Sequence, residues 1–594
     1  MPLMGSLYVG VSGLQTSQNS LNTTAHNISN TDTKGYVRQQ VMTGTAIYST
    51  IKTDKNAVSN QQLGLGVVYS RTRQVRDTFL DATYRKESGR SAFYEVSYDA
   101  INEVENLLDE MNGETFEESI QDLWTSIQEL SKDPSSAVTQ GLLIERCSEF
   151  IARAQSVYAG LVDYQNSLNQ TVNNSVKNIN EIANKIKTLN DEIRNIEITN
   201  VGAIGGSFER ANDLRDARNA LLDDLSKYGN VSYSEDTDCT VWVQFEGEDL
   251  VRGEVAYEIG TYEDPLNKFL TPFWIKNATY SYDEHGEKLY TKEDVDNAHV
   301  FDLKRMISAD LSTDVGSLKS VLLARGDHRA DYTDLLDDGR YEYDISQSVC
   351  MNVMAEFDQL VHIITTSVND VLAEAAYAAK AINPSSTYLF DDNGNPIQIF
   401  TKIASDGYSN SVPVEEREWI PATDDTPAHA SNYNQEKRGI FDPKTGEVIG
   451  YVSESLYTTT NIQVNPDLIK QPTKLKFVLM DGSVDNETVA KLKATFESED
   501  TTLNPNVKKK SSFVDYYGDL VSQVANSGFV YKNIMESQDI TMSAAENARE
   551  EIIGVSQDEE LTMMIKFQNA YNASSRYINV VSEMLEHMIT SLAG

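Results

Sequence analysis

Cysteine is scarce: Cys147, Cys239 and Cys350 are the three in 594 residues, about a hundred positions apart and with no CxxC pair. Such spacing excludes a disulfide framework and gives no zinc signature, so buried free thiols are expected. Positive charge is scarce too. Against 90 Asp and Glu stand 50 Lys and Arg, a formal net charge of −40. An acidic surface repels phosphate backbones and anionic lipid alike, so no nucleic-acid partner is expected. A continuous apolar run of about 20 residues, the length of a membrane span, is missing. A secretory leader is not legible either, because the start has no basic segment and Ser12, Gln15, Gln18 and Asn19 interrupt its apolar residues.

Signatures of chemistry are missing as well. His26, His285, His299, His328, His362, His429 and His587 fall in no HExxH or other ligand spacing. No phosphate-binding loop occurs, and VGAIGGS (201–207) has the wrong glycine spacing for a dinucleotide fingerprint; a loop is expected there. DDNGNP (391–396) has Pro396 where a calcium loop needs its turn glycine, and reads as a β-turn. Carboxylates are abundant, but nothing singles out an acid and a base. No catalytic, metal or cofactor site is expected, and the chain is not read as an enzyme.

What is present is a folded chain, with 40% hydrophobic and 9% aromatic residues, too long for a single core. Its opening is unusual: residues 7–30 contain no Asp, Glu, Lys or Arg. Leu7, Leu14, Leu21 and Ile28 recur every seven residues, and Met4, Val11, Gln18 and Ala25 form the second line of a helical seam. The other faces are Ser, Thr, Asn and Gln, mediocre helix formers without i,i+4 ion pairs, so this helix needs neighbours. At the far end Phe567, Ala570, Tyr577, Val581, Met584, Met588 and Leu592 make a second such helix. Two seam-bearing ends suggest a head and tail that pair with each other and with copies.

Between the ends the pattern changes several times. Residues 75–228 read as helices, one stopped at Asp133–Pro134, and 168–196 carry Val172, Val176, Ile179, Ile182, Ile186, Leu189, Ile193 and Ile196 at helical steps. Alternation in TVWVQFEGEDLVRGEVAYEIG marks strands from about 231, helices return near 345–380, and a Pro-, Asn- and Gly-punctuated strand region fills 384–505. The expected fold is multidomain α plus β, a discontinuous helical coiled-coil stem built from both chain ends with inserted all-β outer domains. The expected boundaries are a terminal helical axial core from 1–62 and 550–594, and a helical rod domain from 63–230, 343–383 and 506–549. A first β domain with a returning segment would span 231–342, and an inserted β-rich outer domain 384–505.

Particular motifs resemble those of the flagellar axial proteins, the family of rod, hook and junction subunits. SGL at 12–14 is followed by a helix and by the turn Asn27, Ile28, Asn30, Thr33, Gly35, Tyr36, which resembles the family's N-terminal signature. The closing helix resembles its C-terminal one at Phe567, Gln568, Tyr571, Ala573 and Arg576. Narrower features resemble the junction members: Gly35-Tyr36-Val37-Arg38-Gln39, LGLGVVYSRTRQVRDTFLD (63–81), NDLRDARNALLDDLSKYGNVSYSE (212–235, with Asn219 for an expected Asp), GSLKSVLLARGD (316–327) and NIQVNPDLI (461–469). The resemblance runs over about 1–235, 316–380 and 515–594, and residues 384–455 match nothing in it.

The resemblance implies a structural subunit, secreted through the flagellar type III apparatus and placed at the hook–filament junction of a bacterial flagellum. Implied partners are copies of itself, hook protein below, a second junction protein above and an export chaperone on the C-terminal helix. The implied self-assembly residues are Leu7, Val11, Leu14, Leu21, Ala25 and Ile28 on the first seam, and the turn Asn27, Asn30, Thr33, Gly35, Tyr36, Arg38 and Gln39. On the last helix they are Phe567, Gln568, Tyr571, Ala573, Arg576, Val581, Met584 and Met588. Alternatives are another axial protein, although the long helical block disfavours hook protein, an unrelated coiled-coil scaffold, or a surface enzyme within 384–505.

Overall fold

The fold is that of a computed structural model. It describes residues 2–33, 35–46, 48–52, 61–109, 115–198, 211–265, 267–282, 288–336, 338–392, 394, 396–402, 419–420, 429–430, 436–441, 448–454 and 457–593. The segment 201–207 lies outside them, as do Asn393 and Asn395 of the 391–396 turn, where the Gly394 N–H donates to Asp391 O.

The chain opens with helix α1 (Pro2–Ser29), then β1 (Gln39–Thr45), β2 (Tyr48–Lys52), β3 (Gln61–Gly64) and β4 (Val67–Gln74), in which β1 pairs with β4 and β2 with β3. Four helices follow: α2 (Thr78–Asp109), α3 (Phe116–Lys132), α4 (Ala137–Ile198) and α5 (Asn212–Ser226). Thr115 and Glu118 form a capping box that starts α3, and the helix ends at Lys132 just ahead of Asp133–Pro134. At about 1.5 Å per residue the 62 residues of α4 form a rod of roughly 93 Å. It starts 31 residues ahead of the 168–196 stripe that marks it in the sequence and ends two residues after it.

An antiparallel sheet comes next, β5 (Val231–Glu235), β6 (Val241–Phe245), β7 (Glu248–Arg252) and β8 (Val255–Ala256) in that order. Val241, Val243 and Phe245 alternate inward along β6 as its spacing requires. The hairpins β9 (Ile259–Glu263) with β10 (Leu270–Trp274) and β11 (Ser281–Tyr282) with β12 (Lys288–Leu289) lead to α6 (Lys292–Asp296) and α7 (Ser317–Arg325). A short turn, α8 (Asp338–Arg340), and a π-helical segment, Tyr341–Ile345, precede α9 (Val349–Ile382), which Ser348 caps. Then β13 (Phe400–Lys402), β14 (Trp419–Ile420), β15 (His429–Ala430), β16 (Glu436–Phe441), β17 (Val448–Glu454) and β18 (Ile462–Val464) make three antiparallel pairs, β13 with β18, β14 with β15 and β16 with β17. The chain ends with α10 (Pro466–Lys470), α11 (Asn486–Glu497), α12 (Phe513–Ile553) and α13 (Gln557–Ala593).

The core sits where α3, α4, α9 and α12 converge. Phe116 lies 5.4 Å from Phe150, 4.8 Å from Phe357 and 5.0 Å from Tyr517, ring centre to ring centre. Burying each such side chain contributes about 1.5–3 kcal/mol. Tyr388, Ile399, Phe400, Ile462, Phe477, Leu492 and Phe496 belong to the same continuous core. Within the region expected to be strands, α11 is a helix. Asp485 accepts from the N–H groups of Glu487 and Thr488, and Val489, Leu492 and Phe496 face inward at helical spacing. Where α2, α5 and α7 cross, Gly316 has φ +98, and a Cβ there would lie 2.5 Å from both Gly229 Cα and Tyr228 O. Its N–H donates to Gly89 O at 2.9 Å, so only glycine fits the crossing.

Candidate assembly site at the chain ends

The two ends of the chain lie side by side. A Cβ on Gly10 would sit 2.6 Å from Ile578, one on Gly13 would sit 2.8 Å from Ser574, and Asn27 bonds Glu560. These pairs fix α1 and α13 as antiparallel helices in very close approach. The stripe of α1 turned inward is Gly10, Gly13, Ser17, Ser20, Thr24 and Asn27, all small or polar. Its hydroxyls cost little to bury because they bond their own helix. Thr16 donates to Ser12 O at 2.8 Å, Ser17 to Gly13 O at 2.8 Å and Ser20 to Thr16 O at 2.9 Å. Small, uncharged residues on α1 are therefore what let Ile578 and Ser574 of α13 reach its backbone.

The apolar seam lies one residue further along. Leu7, Leu14, Leu21 and Ile28 are half-buried, while Val11 and Ala25 are exposed. On α13, Phe567 and Tyr571 are half-buried and Val581 is buried; Gln568, Ala573, Arg576, Met584 and Met588 are exposed.

The turn after α1 closes around Asn27, which is 1% exposed. Its Oδ1 accepts from Tyr36 OH at 2.8 Å and from the Gln39 N–H at 3.0 Å; its Nδ2 donates to Gln39 O at 2.9 Å and Glu560 Oε2 at 3.1 Å. Every hydrogen-bonding position of one amide is engaged, which only Asn satisfies at this length. Asn30 and Thr33 shape the turn itself, Thr33 donating to Asn30 Oδ1 at 3.2 Å, and exposed Gly35 takes φ +83. Arg38 donates through Nε to Glu560 Oε1 at 2.8 Å and reaches Glu559 at 3.1 Å, while its N–H donates to Ile553 O at 2.9 Å. Tyr36 is held protonated by burial, reinforced by the carboxylates of Asp216, Asp213 and Glu560.

Below this turn lies a second set of charges. Asp216 on α5 accepts from the Val37 N–H at 3.3 Å and from Gln74 Nε2 at 2.6 Å, with Arg76 Nη1 at 3.8 Å. Burial pushes its carboxyl up to about 7, and nearby Asp213 adds to that, while the Val37 N–H, Arg76 and Gln74 oppose it. Arg76 also grips Asp81 at 2.7 and 3.1 Å. Asp223 receives Arg85 at 2.7 Å and Arg549 at 2.8 Å, and Arg549 stacks on Tyr84 at 3.8 Å.

Such an arrangement docks helices; it holds no nucleophile, acid–base pair or ligand cage. Among the described residues no cluster of His, Cys, Asp and Glu is arranged to hold a metal ion, and no helix is long and apolar enough to cross a membrane. Known proteins resemble parts or the whole of this chain. Residues 7–36 match the Flagella basal body rod protein model, 548–591 the Flagellar basal body rod FlgEFG protein C-terminal model, and 101–380 the Flagellar hook-associated protein FlgK helical domain. The solved flagellar hook junction protein FlgK from Burkholderia pseudomallei aligns over 81% of this chain and 100% of its own, at 12% identity and a TM-score of 0.48. Flagellar hook-associated protein 1 of Bacillus subtilis (strain 168) is 23% identical over 596 residues, 99% of each chain. That of Escherichia coli (strain K12) is 24% identical over 591 residues, 98% of each. Over nearly its whole length the chain is similar to flagellar hook-associated protein 1.

The turn Asn27, Tyr36, Arg38 and Gln39 is brought together with the start of α13 through Glu560, a residue that the sequence reading passes over. Asp216, Asp223 and Arg549 are missed in the same way. Arg76 and Asp81 stand inside the quoted 63–81 segment and Asp216 and Asp223 inside 212–235, but nothing local pairs residues so far apart in the chain. Two of the buried acids on α13 and α5 look like ordinary surface charge until the fold covers them.

Proposed function

We propose that this chain is a structural subunit of the hook–filament junction, assembling with copies of itself through α1 and α13. Hook protein lies below it and a second junction protein above, after export through the type III apparatus with a chaperone on α13. The supporting observation is the apolar surface left uncovered on the paired ends: Tyr8 is 69% exposed, Ile565 60% and Ile589 63%, with Met4, Val580, Met584 and Met588 beside them. Isolated soluble chains rarely expose such a stripe unless a partner covers it. The inward faces are already matched to each other, so the free stripe is what remains for neighbouring subunits. The family is one of structural flagellar proteins, in keeping with a role without catalysis.

A strain carrying Ile565→Asp with Ile589→Asp tests this. Both side chains face solvent, so the free subunit should melt as the wild type does and still be secreted. Burying the new carboxylates in a subunit contact costs several kcal/mol each, so electron microscopy should show hooks without filaments. Normal filaments on that strain would sink the assembly reading, and missing hooks in the deletion strain would point to a hook or rod component instead.

A further inference from the structure

The chain-end unit (α1, β1 to β4 and α13) and the helical body meet over little surface. Among the described residues no helix or strand of the unit packs along an element of the body. The chain passes between them at Val75–Asp77 and again at Gly554–Ser556. With so little packing, the angle between unit and body depends on a few polar contacts, and one side chain takes part in several of them.

We propose that Asp216 is a positioning residue that fixes the chain-end unit at one angle on the helical body. This rests on the reading of the chain ends as the assembling part, since a subunit contact made by α1 and α13 depends on where they point. Asp216 Oδ2 accepts from the Val37 N–H and Oδ1 from Gln74 Nε2, so one carboxylate holds the turn after α1 and the last residue of β4 at once. Gln74 gives its second hydrogen to Asn212 O at 3.0 Å, on the same helix. Val37, between these contacts, is 1% exposed.

The charges around the carboxylate come from every neighbouring element. Arg76 stands 3.8 Å away, paired to Asp81 of α2, and Arg549 of α12 lies 4.0 Å from Asp81. Asp213 of α5 faces His26 of α1 at 3.9 Å, and Tyr36 is close enough to feel Asp216 and Glu560 of α13. Arg76 only partly offsets the burial that pushes the Asp216 carboxyl up to about 7. Undocking returns the carboxyl to water and to its ordinary range. Docking therefore takes up a proton, is strongest below about pH 4, weakens by up to about tenfold per pH unit between there and pH 7, and levels off above.

The test is pulsed spin-label distance measurement on full-length protein carrying Cys239→Ser, with labels at Thr125→Cys on α3 and Asn572→Cys on α13. Wild type should give one narrow distance near pH 5 and a second, broad component that grows as pH rises to about 7 and then stays constant. Asp216→Asn offers one acceptor to two donors and has no charge, so the broad component should appear at every pH and in constant proportion. Gln74→Met removes the partner from the other side and should enlarge the broad component while leaving body melting unchanged. A narrow distance in Asp216→Asn, or pH-dependent broadening that persists in it, overturns the proposal. Co-purification of the wild type with hook–basal bodies is scored separately: its failure sinks the junction reading, whatever the distances show.

Discussion

Glu356 offers a quantitative test of how the helical body holds together. It is 0% exposed on α9 and accepts hydrogen bonds from Asn352 Nδ2 at 3.2 Å, Asn504 Nδ2 at 2.6 Å and Gln523 Nε2 at 3.0 Å. These donors tie α9 to the start of α12, and all of them are neutral amides. Burial pushes the carboxyl from its ordinary 4.5 up to about 7, and the three amides only partly oppose it. Folding thus binds a proton more tightly than the unfolded chain does. The associated stability is fully present below about pH 4.5 and is lost as pH rises through 7. The difference of pKa corresponds to roughly 3 kcal/mol.

Glu356→Gln removes the charge at every pH. Near pH 5 the variant should be the less stable protein by about 1–3 kcal/mol, because one amide hydrogen now faces amide donors. Near pH 8.5 the wild type carries a buried unpaired carboxylate and that advantage should vanish or reverse. Calorimetric melting of both proteins at both pH values reads the change, about 3 °C in the difference of Tm for a body of this size. Other buried acids titrate equally in both proteins and cancel. Melting differences that stay parallel across the pH range would refute the reasoning and show that Glu356 ionises as freely as a surface residue.

His328 lies between Asp327 and Asp334, bonded to Asp334 at 3.0 Å; burial pulls its pKa down, but the two carboxylates outweigh it and lift it to about 9. Its stabilisation is complete below about pH 6.5 and lost through pH 9, so His328→Gln should flatten thermal stability between those values. Gly316→Ala meets both a positive φ and backbone atoms at 2.5 Å; a loss of more than about 3 kcal/mol is expected, read as failure of the soluble subunit to accumulate. Gly10→Val should part α1 from α13 and speed hydrogen exchange in both while the melting of the body stays unchanged. Arg549→Ala leaves Asp223 with Arg85 alone and should cost about 3 kcal/mol by urea unfolding.

Much of the helical architecture is legible in the sequence because its signals are local. Thr115 with Glu118 starts α3 and Asp133–Pro134 stops it; a three-four spacing of Ile and Val betrays the C-terminal half of α4. In contrast, α11 hides among turn-forming residues, since its apolar face is only three side chains long. The chain-end site shows the limit most clearly. Periodicity selects the apolar stripe of α1, yet the stripe buried within the chain is the one before it, built from Gly, Ser, Thr and Asn. Hydrophobicity says nothing about such a face: its fitness comes from close approach and from hydroxyls bonded to their own backbone. The carboxylates that hold the turn are equally silent, because an Asp or Glu in an acidic chain acquires meaning only from a cation or amide hundreds of residues away.

The pairing of α1 with α13 also sets an order of events. Asn27 and Glu560 are 533 residues apart, so their contact closes nearly the whole chain into one loop. Loop-closure entropy makes such a contact among the last to form, after the local helices and the central core. Helix α1 therefore stays without its intramolecular partner until more than 500 further residues have been made. A weak, uncharged α1 that cannot fold stably alone suits that long wait, since it commits to no other partner before α13 exists.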